Sequence, residues 1–277
     1  MAARHYRCHE RRRAPCALRR QGSLVQRRDR GSLHRDTPLK DRADKILTEL
    51  KLVSTRAQAK SLIEMGRITV NGKVLKKAGD LIARTDEIHV DSPGFVGRGA
   101  FKLTAALEKF PVEIKDKTLM DIGASTGGFT EVLLRHGAAK VFAIDVDRDQ
   151  LAEKLRTDPR VENMEGTHFL DVNFFVPLEG AVVDLSFISI TRVIEHLYNQ
   201  LAPSAWAVAL IKPQFEAGPE RMPKDGVIKD AKLRGTILEE VKGKISAAGF
   251  TIRDVIDSPI EGKSGNHEFL AWLTKDS

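Results

Sequence analysis

The sequence predicts an α/β fold, in which a large and mostly parallel sheet follows a small α+β unit. Two observations support this prediction. From Thr118 onward, strand-like apolar runs alternate with helix-like ones, as is typical of a parallel sheet with helices on its faces. Before that, residues 41–91 contain two short helical patterns and a hairpin pattern. A chain of 277 residues has room for one large domain and one small domain.

A basic tail precedes both predicted domains. Residues 1–40 hold 12 Lys and Arg against 3 Asp and Glu, whereas the whole chain has a net charge of only +7. Because this segment lacks hydrophobic periodicity, we expect it to be disordered. It could hold RNA phosphates, act as a targeting peptide, or be a non-native extension. Both cysteines, Cys8 and Cys16, lie in the tail, which leaves no disulfide framework in the predicted domains and suits a reducing cytoplasm.

The small unit at residues 41–91 begins with a short apolar helical face around Ile46. Thr55-Arg-Ala-Gln58 fits a capping box that begins a second helix, and Gly66 is suited to end it. Asn71-Gly72 then supplies the two positive-φ positions of a tight hairpin turn. A core this small predicts a unit that acts through its surface.

Five basic residues on and beside these helices could meet a phosphate backbone: Arg42, Lys45, Arg56, Lys60 and Arg67. On charge alone, a solvated helical face explains them better. However, the order Arg-x-Asp-Lys, Ser-Thr-Arg-Ala-Gln-Ala and Gly-Arg-Ile-x-Val-Asn-Gly-Lys resembles the S4-type RNA-binding domain across some 48 residues. The resemblance implies recognition of structured RNA by its shape and phosphates.

A glycine loop dominates the large unit. The run from Thr118 to Thr130 predicts a strand ending in Asp121, a turn with Gly123 and Gly127-Gly128, and the start of a helix. Such a loop brings bare backbone N–H groups and the positive end of a helix dipole to a ligand. The spacing fits neither a dinucleotide loop nor a P-loop. It resembles the S-adenosylmethionine (SAM) loop of methyltransferases, although an ordinary tight turn remains the alternative.

Acidic residues after the next predicted strands extend this cofactor hypothesis. Asp145 ends the strand Val141–Asp145, where a carboxylate can bond both ribose hydroxyls of a nucleoside. Asp171 follows a further short segment. We therefore expect SAM to bind at Asp121, Gly123, Ser125, Thr126, Gly127, Gly128, Phe129, Asp145 and Asp171.

Two later strands end in charged residues. Ala181-Val-Val-Asp184 and Trp206-Ala-Val-Ala-Leu-Ile-Lys212 read as buried strands, whose carboxyl ends should meet where ligands gather in such sheets. Each charged residue alone could be a salt bridge or a solvated strand end. Together, they suggest a lysine that acts as a base or orienting group for a hydroxyl nucleophile.

Five segments resemble the TlyA (hemolysin A) family of ribosomal RNA 2′-O-methyltransferases, which have an FtsJ-like catalytic domain. They are Arg98-Gly-Ala-Phe-Lys102-Leu, Asp121-Ile-Gly-Ala-Ser-Thr-Gly-Gly-Phe-Thr, Asp184-Leu-Ser-Phe-Ile-Ser, Leu210-Ile-Lys212-Pro-Gln-Phe-Glu and Gly265-Asn-His-Glu268-Phe. The resemblance implies a Rossmann-like SAM-dependent methyltransferase domain at 99–277, a linker at 92–98 and an S4-type domain at 41–91. It also implies a catalytic tetrad of Lys102, Asp184, Lys212 and Glu268.

By this resemblance, Lys212 accepts or directs the proton of a ribose 2′-hydroxyl, Asp184 and Glu268 orient Lys212, and Lys102 steadies the growing oxyanion or a phosphate. The expected substrate is ribosomal RNA in ribosomal subunits, with cytidine as the suggested nucleotide, and the expected location is the cytoplasm. We expect no metal, since His168 and His267 lack a convincing ligand set.

Two other functions stay open at this point. One is a non-catalytic RNA-binding or ribosome-assembly protein that keeps SAM as a structural ligand. The other is the membrane-lytic activity that the older family name suggests, against which the absence of any apolar run of roughly 18 residues argues.

Overall fold

The computed structural model describes residues 39–53, 55–91, 94–262 and 264–276. Residues 1–38 of the predicted tail, including both cysteines, lie outside the described residues. So do Ser92 and Pro93 of the predicted linker.

Short elements form what we call the N-terminal unit: β1 (Lys40–Arg42), α1 (Ala43–Glu49), α2 (Arg56–Glu64), β2 (Ile68–Val70), β3 (Lys73–Val74), β4 (Leu81–Ala83) and β5 (Ile88–Val90). β1 pairs with β4, and β2 lies between β3 and β5. The sequence predicted both helices, the β2–β3 hairpin and a short strand at Ile88–Val90. It missed the β1–β4 pair, because strands of three residues are too short to show alternation.

Local capping explains where α2 begins and ends. Thr55 Oγ1 accepts a hydrogen bond from Gln58 N at 3.1 Å, so the predicted N-cap is confirmed. At the other end, Gly66 has a φ of +69°, and its N–H and that of Arg67 donate to carbonyls of the last turn. This is a Schellman motif, in which the glycine satisfies carbonyls that the helix leaves unpaired.

The predicted hairpin is also confirmed. Asn71 and Gly72 have φ values of +51° and +75°, and Val70 pairs with Lys73 across the turn. The Asn-Gly turn therefore fixes the register of β2 and β3.

The C-terminal unit contains α3 (Gly99–Lys109), β6 (Thr118–Ile122), α4 (Gly128–Arg135), β7 (Lys140–Asp145), α5 (Glu153–Arg156), β8 (Val161–Glu165), β9 (Leu178–Val183), α6 (Ile194–Gln200), β10 (Leu201–Ile211), α7 (Pro213–Glu216), α8 (Ala231–Ala247), β11 (Phe250–Asp257) and β12 (Phe269–Lys275). Single 3₁₀ turns at Phe169–Asp171 and Ile190–Arg192 complete the described elements.

Within the described residues, the strands of this unit form one sheet in the order β11-β12-β10-β9-β6-β7-β8. β10, β9, β6, β7 and β8 are parallel, while β12 runs antiparallel between β10 and β11. The predicted fold class, a Rossmann-like α/β sheet with a small α+β unit before it, is confirmed.

Alternate residues of the buried strands supply two apolar layers. In β10, Ala207, Ala209 and Ile211 face the layer that holds α6 and α8, whereas Val208 and Leu210 face the layer that holds α3 and α4. The sheet is therefore covered on both faces, which is why its strands read as continuous apolar runs.

Two predicted helices are shorter than the sequence suggested. The run from Ile190 to Leu201 divides into a 3₁₀ turn and α6, because Glu216 of α7 accepts hydrogen bonds from Ser189 Oγ and Ile190 N and holds the first turn apart. Near Gln150, helix α5 covers only Glu153–Arg156, since Glu165 accepts the N–H groups of Gln150 and Leu151 instead.

A buried apolar cluster, here called the N-terminal cluster, forms the core of the N-terminal unit. It includes two residues of the C-terminal unit, Phe101 in α3 and Ile260 between β11 and β12. Its members are Ala43, Ile46, Leu47, Val53, Ala59, Leu62, Ile63, Ile68, Leu75, Ile82, Phe101 and Ile260.

In the part of the chain that the structure describes, no helix combines the length and the apolar character needed to cross a bilayer.

Candidate active site

A cleft of about 760 Å³ opens at the carboxyl ends of β6, β7, β9 and β10. Its lining also includes the first turn of α3 and the residues just before β12. This is the edge of a parallel sheet where ligands bind, because the loops that leave neighbouring strands converge there.

The glycine loop between β6 and α4 forms one wall of the cleft. Gly123 has a φ of +87°, and a Cβ added there would lie 2.5 Å from the backbone oxygen of Asp184. Its N–H donates to Ile144 O at 2.8 Å, which ties the loop to the end of β7. A glycine is needed here because the loop turns with positive φ and passes directly over the end of β9.

Asp121 does not line the cleft; its side chain bonds to Thr130 at the start of α4, on the far side of the glycine loop. Its side chain is fully buried, and Oδ2 accepts hydrogen bonds from Thr130 N at 2.8 Å and Thr130 Oγ1 at 2.6 Å. Oδ1 has no hydrogen-bond partner among the described residues. Burial raises the pKa of the Asp121 carboxyl to about 7, because the charged form loses its hydration. Asp121 therefore ties β6 to α4.

Asp145 lines the cleft and also orders the loops around it. Its Oδ2 accepts a hydrogen bond from Ser125 N at 2.7 Å, and its Oδ1 accepts one from Asp147 N at 2.9 Å. A carboxylate oxygen has two lone pairs, so both atoms can still accept a bond from a ligand.

The predicted cofactor residues divide into three groups. The cleft is lined by Gly123, Ser125, Thr126, Gly128, Phe129 and Asp145. Asp121 and Gly127 are not in the lining, and Gly127 packs against Leu155. Asp171 is exposed and is also absent from the lining, since the 3₁₀ turn directs Phe169 inward instead. That Asp121, Gly127 and Asp171 bind the cofactor stays a prediction, which the lining of this cleft does not support.

The four predicted catalytic residues all line the cleft and form two ion pairs. Lys102 Nζ lies 2.5 Å from Glu268 Oε2, and these side chains are only 5% and 2% exposed. Lys212 Nζ lies 2.6 Å from Asp184 Oδ1 in an ion pair that lacks the alignment of a hydrogen bond. The resemblance implied that both carboxylates orient Lys212, but Glu268 contacts Lys102 instead.

Polar neighbours that the sequence analysis did not single out hold these pairs. Lys212 Nζ donates to Ser186 Oγ at 2.8 Å, and Gln214 Nε2 donates to Glu268 Oε1 at 3.0 Å. Asn266 is buried; its Nδ2 donates to Gly226 O and its Oδ1 accepts from Ile228 N, so it ties the loop between α7 and α8 to the cleft. All three lie inside the motif segments, within two residues of a predicted catalytic residue.

Phe187 is the second group that the sequence analysis missed. Its side chain is 91% exposed at the cleft, and its ring lies 5.3 Å from that of Phe215. Its φ is +66°, an unusual value for a bulky residue. Its position in the Asp184-Leu-Ser-Phe segment was the available signal.

The five predicted RNA-binding cations are all engaged in ion pairs of the chain itself: Arg42 with Asp44, Lys45 with Asp41, Arg56 with Asp44, Lys60 with Glu64, and Arg67 with Asp91. By contrast, Lys73, Lys76 and Lys77 in and after β3 are exposed, and no described carboxylate forms an ion pair with them. The basic run after Asn71-Gly72 was a signal for this second surface.

Within the described ranges, no group of three or more His, Cys, Asp or Glu side chains is arranged to hold a metal ion. His168 Nδ1 accepts a hydrogen bond from Leu170 N, and His267 Nε2 lies 3.9 Å from Glu261.

Comparisons with known proteins agree with this geometry. The chain matches the family models of the FtsJ-like methyltransferase over residues 95–275 and of the S4 domain over residues 41–88. It is 41% identical over 244 residues to the "Putative rRNA methyltransferase YqxC" of Bacillus subtilis, covering 86% of each chain. It is 39% identical over 238 residues to the "16S/23S rRNA (cytidine-2'-O)-methyltransferase TlyA" of Mycobacterium tuberculosis, covering 84% of this chain and 89% of the relative.

A solved structure extends the match to three dimensions. The "Putative hemolysin from Streptococcus thermophilus" superimposes with a TM-score of 0.66 and 37% identity, over 86% of this chain and 89% of that one. The chain therefore belongs to the FtsJ-like methyltransferases and, among them, to the S4-bearing TlyA/hemolysin A family.

Proposed function

We propose that the protein transfers a methyl group from SAM to a ribose 2′-hydroxyl, that of a cytidine, in the RNA of ribosomal subunits. The observation that carries this proposal is the meeting of two lysine–carboxylate pairs and the glycine loop in one cleft. The substrate comes from the relatives, whose names state ribosomal RNA and cytidine-2′-O methylation. Such a substrate implies action in the cytoplasm.

The residues of the cleft fit SAM. Asp145 presents a carboxylate suited to the ribose hydroxyls of the adenosine, while Ser125 and Thr126 lie in the loop suited to its amino-acid end. The first turn of α4 at Gly128 adds the positive end of a helix dipole. SAM supplies an electrophilic methyl group on a sulfonium sulfur.

Lys212 is the residue best suited to the 2′-hydroxyl. Asp184 and Ser186 fix its ammonium group at the carboxyl end of β10, so its position does not depend on the substrate. There, Nζ can donate a hydrogen bond that orients the hydroxyl oxygen toward the methyl group, and, once it has passed a proton to Asp184 or to solvent, its neutral amine can accept the proton that the oxygen loses. Lys102, held by Glu268, supplies a second positive charge in the cleft, which stabilises negative charge growing on the oxygen.

Most of the rate enhancement then comes from positioning, because the reaction needs only an oxygen aligned with a methyl carbon. Both lysines are held by partners of the chain itself before substrate arrives, as preorganised catalysis requires.

The RNA contacts are divided between the two units. Exposed Phe187 at the cleft offers a ring on which an unstacked base can lie. Lys73, Lys76 and Lys77, which form no ion pair with any described carboxylate, offer positive charge for phosphates at the β2–β3 hairpin. The helix cations bind phosphate less readily, since each must first leave its carboxylate.

The test is methyl transfer from radiolabelled SAM to ribosomal subunits, which are purified from a strain that lacks this ribosomal RNA methyltransferase. We expect label on ribose with the wild-type chain and a loss of about 10³-fold in Lys212→Ala, a size typical of removing a proton-transfer group. Lys242→Ala, at a half-buried lysine of α8 that pairs with Glu239 and lies outside the cleft lining, is the matched control and should keep full activity. Label on a base would contradict the proposal. Absence of label despite SAM binding would favour the non-catalytic assembly protein.

A further inference from the structure

Two side chains of the C-terminal unit complete the core of the N-terminal unit. Phe101 and Ile260 are 1% and 2% exposed and belong to the N-terminal cluster. Phe101 directly precedes Lys102, and Ile260 lies in the connection that ends at Glu268. Both members of one catalytic ion pair are therefore close in sequence to a residue buried in the N-terminal core.

Helix α3 is fixed from two sides. Phe101 points into the N-terminal cluster, whereas Ala100, Leu103 and Ala106 belong to the apolar layer against the sheet. Lys102 lies between these faces and reaches Glu268. Because packed interiors leave little freedom, the direction of Lys102 depends on both clusters.

The connection between β11 and β12 links Ile260 to Glu268 through a compact turn. Gly262 N donates to Asn266 O at 2.8 Å, and Ser258 N donates to Glu268 O at 2.9 Å. Gly262 lies so close to the carboxylate that an added Cβ would collide with Glu268 Oε1. Ile260, the buried anchor, is thus connected to the catalytic carboxylate of Glu268 through the hydrogen-bonded turn between Gly262 and Asn266.

An ion pair adds a second link between the units at this connection. Lys60 Nζ of α2 lies 3.7 Å from Glu261 Oε2, the residue next to Ile260. Both side chains are about half exposed, so this contact stabilises little and mainly favours one docking geometry.

From these contacts, we infer that the docked N-terminal unit holds the Lys102–Glu268 pair in its catalytic position, with Phe101 and Ile260 as positioning residues. The inference rests on the proposed function. The other pair, Asp184 and Lys212, follows the central strands β9 and β10 and takes its position from the sheet. The N-terminal unit therefore contributes to the methyl-transfer step as well as to RNA binding.

A positioning role has a particular kinetic signature. Loosening the anchor moves Lys102 and Glu268 without removing a contact to SAM or RNA. The rate of transfer at saturating substrates should then fall, while the dissociation constants for SAM and RNA stay unchanged. A merely structural role would lower stability without this split.

The experiment compares Ile260→Ala with Ile82→Ala in the full chain. Both remove the same atoms from the same cluster, at side chains that are 2% and 4% exposed. We expect a similar loss of thermal stability in both variants, but a fall of about tenfold in the single-turnover rate only for Ile260→Ala. Equal rates for the two variants, or a change confined to RNA affinity, would overturn the inference. If either alanine variant fails to fold, the valine variants at the same positions make the same comparison.

Gly262→Ala supplies a second test that leaves the N-terminal cluster intact. The added methyl group displaces the Glu268 carboxylate, so the single-turnover rate should fall although no side chain of the N-terminal cluster has changed. Full activity in this variant would contradict a role for the turn.

Hydrogen exchange separates this inference from the proposed function. Ile260→Ala should speed exchange at Gly262 and Ser258 more than Ile82→Ala does, and this needs no substrate. Inactive wild-type protein with that exchange difference would refute the proposed function alone, whereas active protein without it would refute the positioning role alone.

Discussion

The two lysine–carboxylate pairs of the cleft are held by different parts of the molecule. Asp184 and Lys212 follow neighbouring parallel strands, so sheet pairing alone brings them together. Lys102 and Glu268 come from a helix and a loop that are 166 residues apart; Lys102 follows Phe101 of the N-terminal cluster directly, and Glu268 ends the connection that holds Ile260 of the same cluster. One site thus combines a pair that follows neighbouring strands of the sheet with a pair that, by our inference, takes its position from the contact between two units.

The largest expected effect is on stability and concerns Asp121, which lies in strand β6 of the sheet. The folded protein keeps the Asp121 proton up to a pKa of about 7, whereas the unfolded chain releases it near 3.8. The free energy of unfolding should therefore fall as the pH rises between these values, by up to about 4 kcal/mol, and level off above them. Asp121→Asn removes this contribution. The free energy of unfolding of the variant relative to wild type, measured with urea, should therefore be higher at pH 8 than at pH 5.

Asp171→Asn is the control for that experiment, since it removes an exposed carboxylate from the same unit. Parallel pH profiles for wild type and Asp121→Asn would show that burial of Asp121 does not govern this part of the stability.

The second prediction compares the two pairs directly. Lys102→Ala leaves Glu268, 2% exposed, without its ion partner, and should cost about 3 kcal/mol in the free energy of unfolding. Lys212→Ala leaves Asp184, whose side chain is 21% exposed, and should cost about 1 kcal/mol because water can reach the carboxylate. Urea denaturation at one pH measures both. Equal costs would mean that the two pairs are desolvated alike.

Phe187 allows a test at the open side of the cleft. Phe187→Ala should weaken RNA binding by about 2 kcal/mol, since it removes an exposed stacking surface without touching either pair. Fluorescence anisotropy with an RNA fragment gives the dissociation constant. Phe175→Ala, also exposed but outside the cleft lining, is the matched control. Equal weakening by both variants would exclude a specific stacking role.

The smallest effect concerns the surface of the N-terminal unit. Lys73→Gln, Lys76→Gln and Lys77→Gln should each reduce the slope of log K against log salt concentration by about 0.7 to 0.9 if each contacts one phosphate. Arg56→Gln should reduce it less, because Arg56 already pairs with Asp44 at 2.7 Å. A larger effect at Arg56 would return the RNA surface to the helices that the sequence first suggested.

Local features of the fold could be predicted from the sequence, because they depend on neighbouring residues. The Asn71-Gly72 turn, the Thr55 cap and the glycine loop after Asp121 all follow from local backbone requirements. Strand β8 was missed, since Val161-Glu-Asn-Met-Glu165 lies at the sheet edge and shows no apolar run.

The site also shows that local features can be predicted from the sequence, whereas tertiary contacts cannot. Its four charged residues could be assigned to one cleft from their motifs, but their pairing could not, since Glu268 meets Lys102 only through tertiary packing. Likewise, the carboxylate that engages Arg56 is that of Asp44 in the neighbouring helix, which charge counting along the chain does not identify.

The burial of Ile260 in the N-terminal cluster has a consequence for synthesis of the chain. A ribosome making about 5 to 20 residues per second produces the residues between Val90 and Ile260 in roughly 10 to 30 seconds. Throughout that interval, the nascent N-terminal unit exposes the apolar surface that Ile260 later covers. The first unit to emerge is thus among the last to be completed.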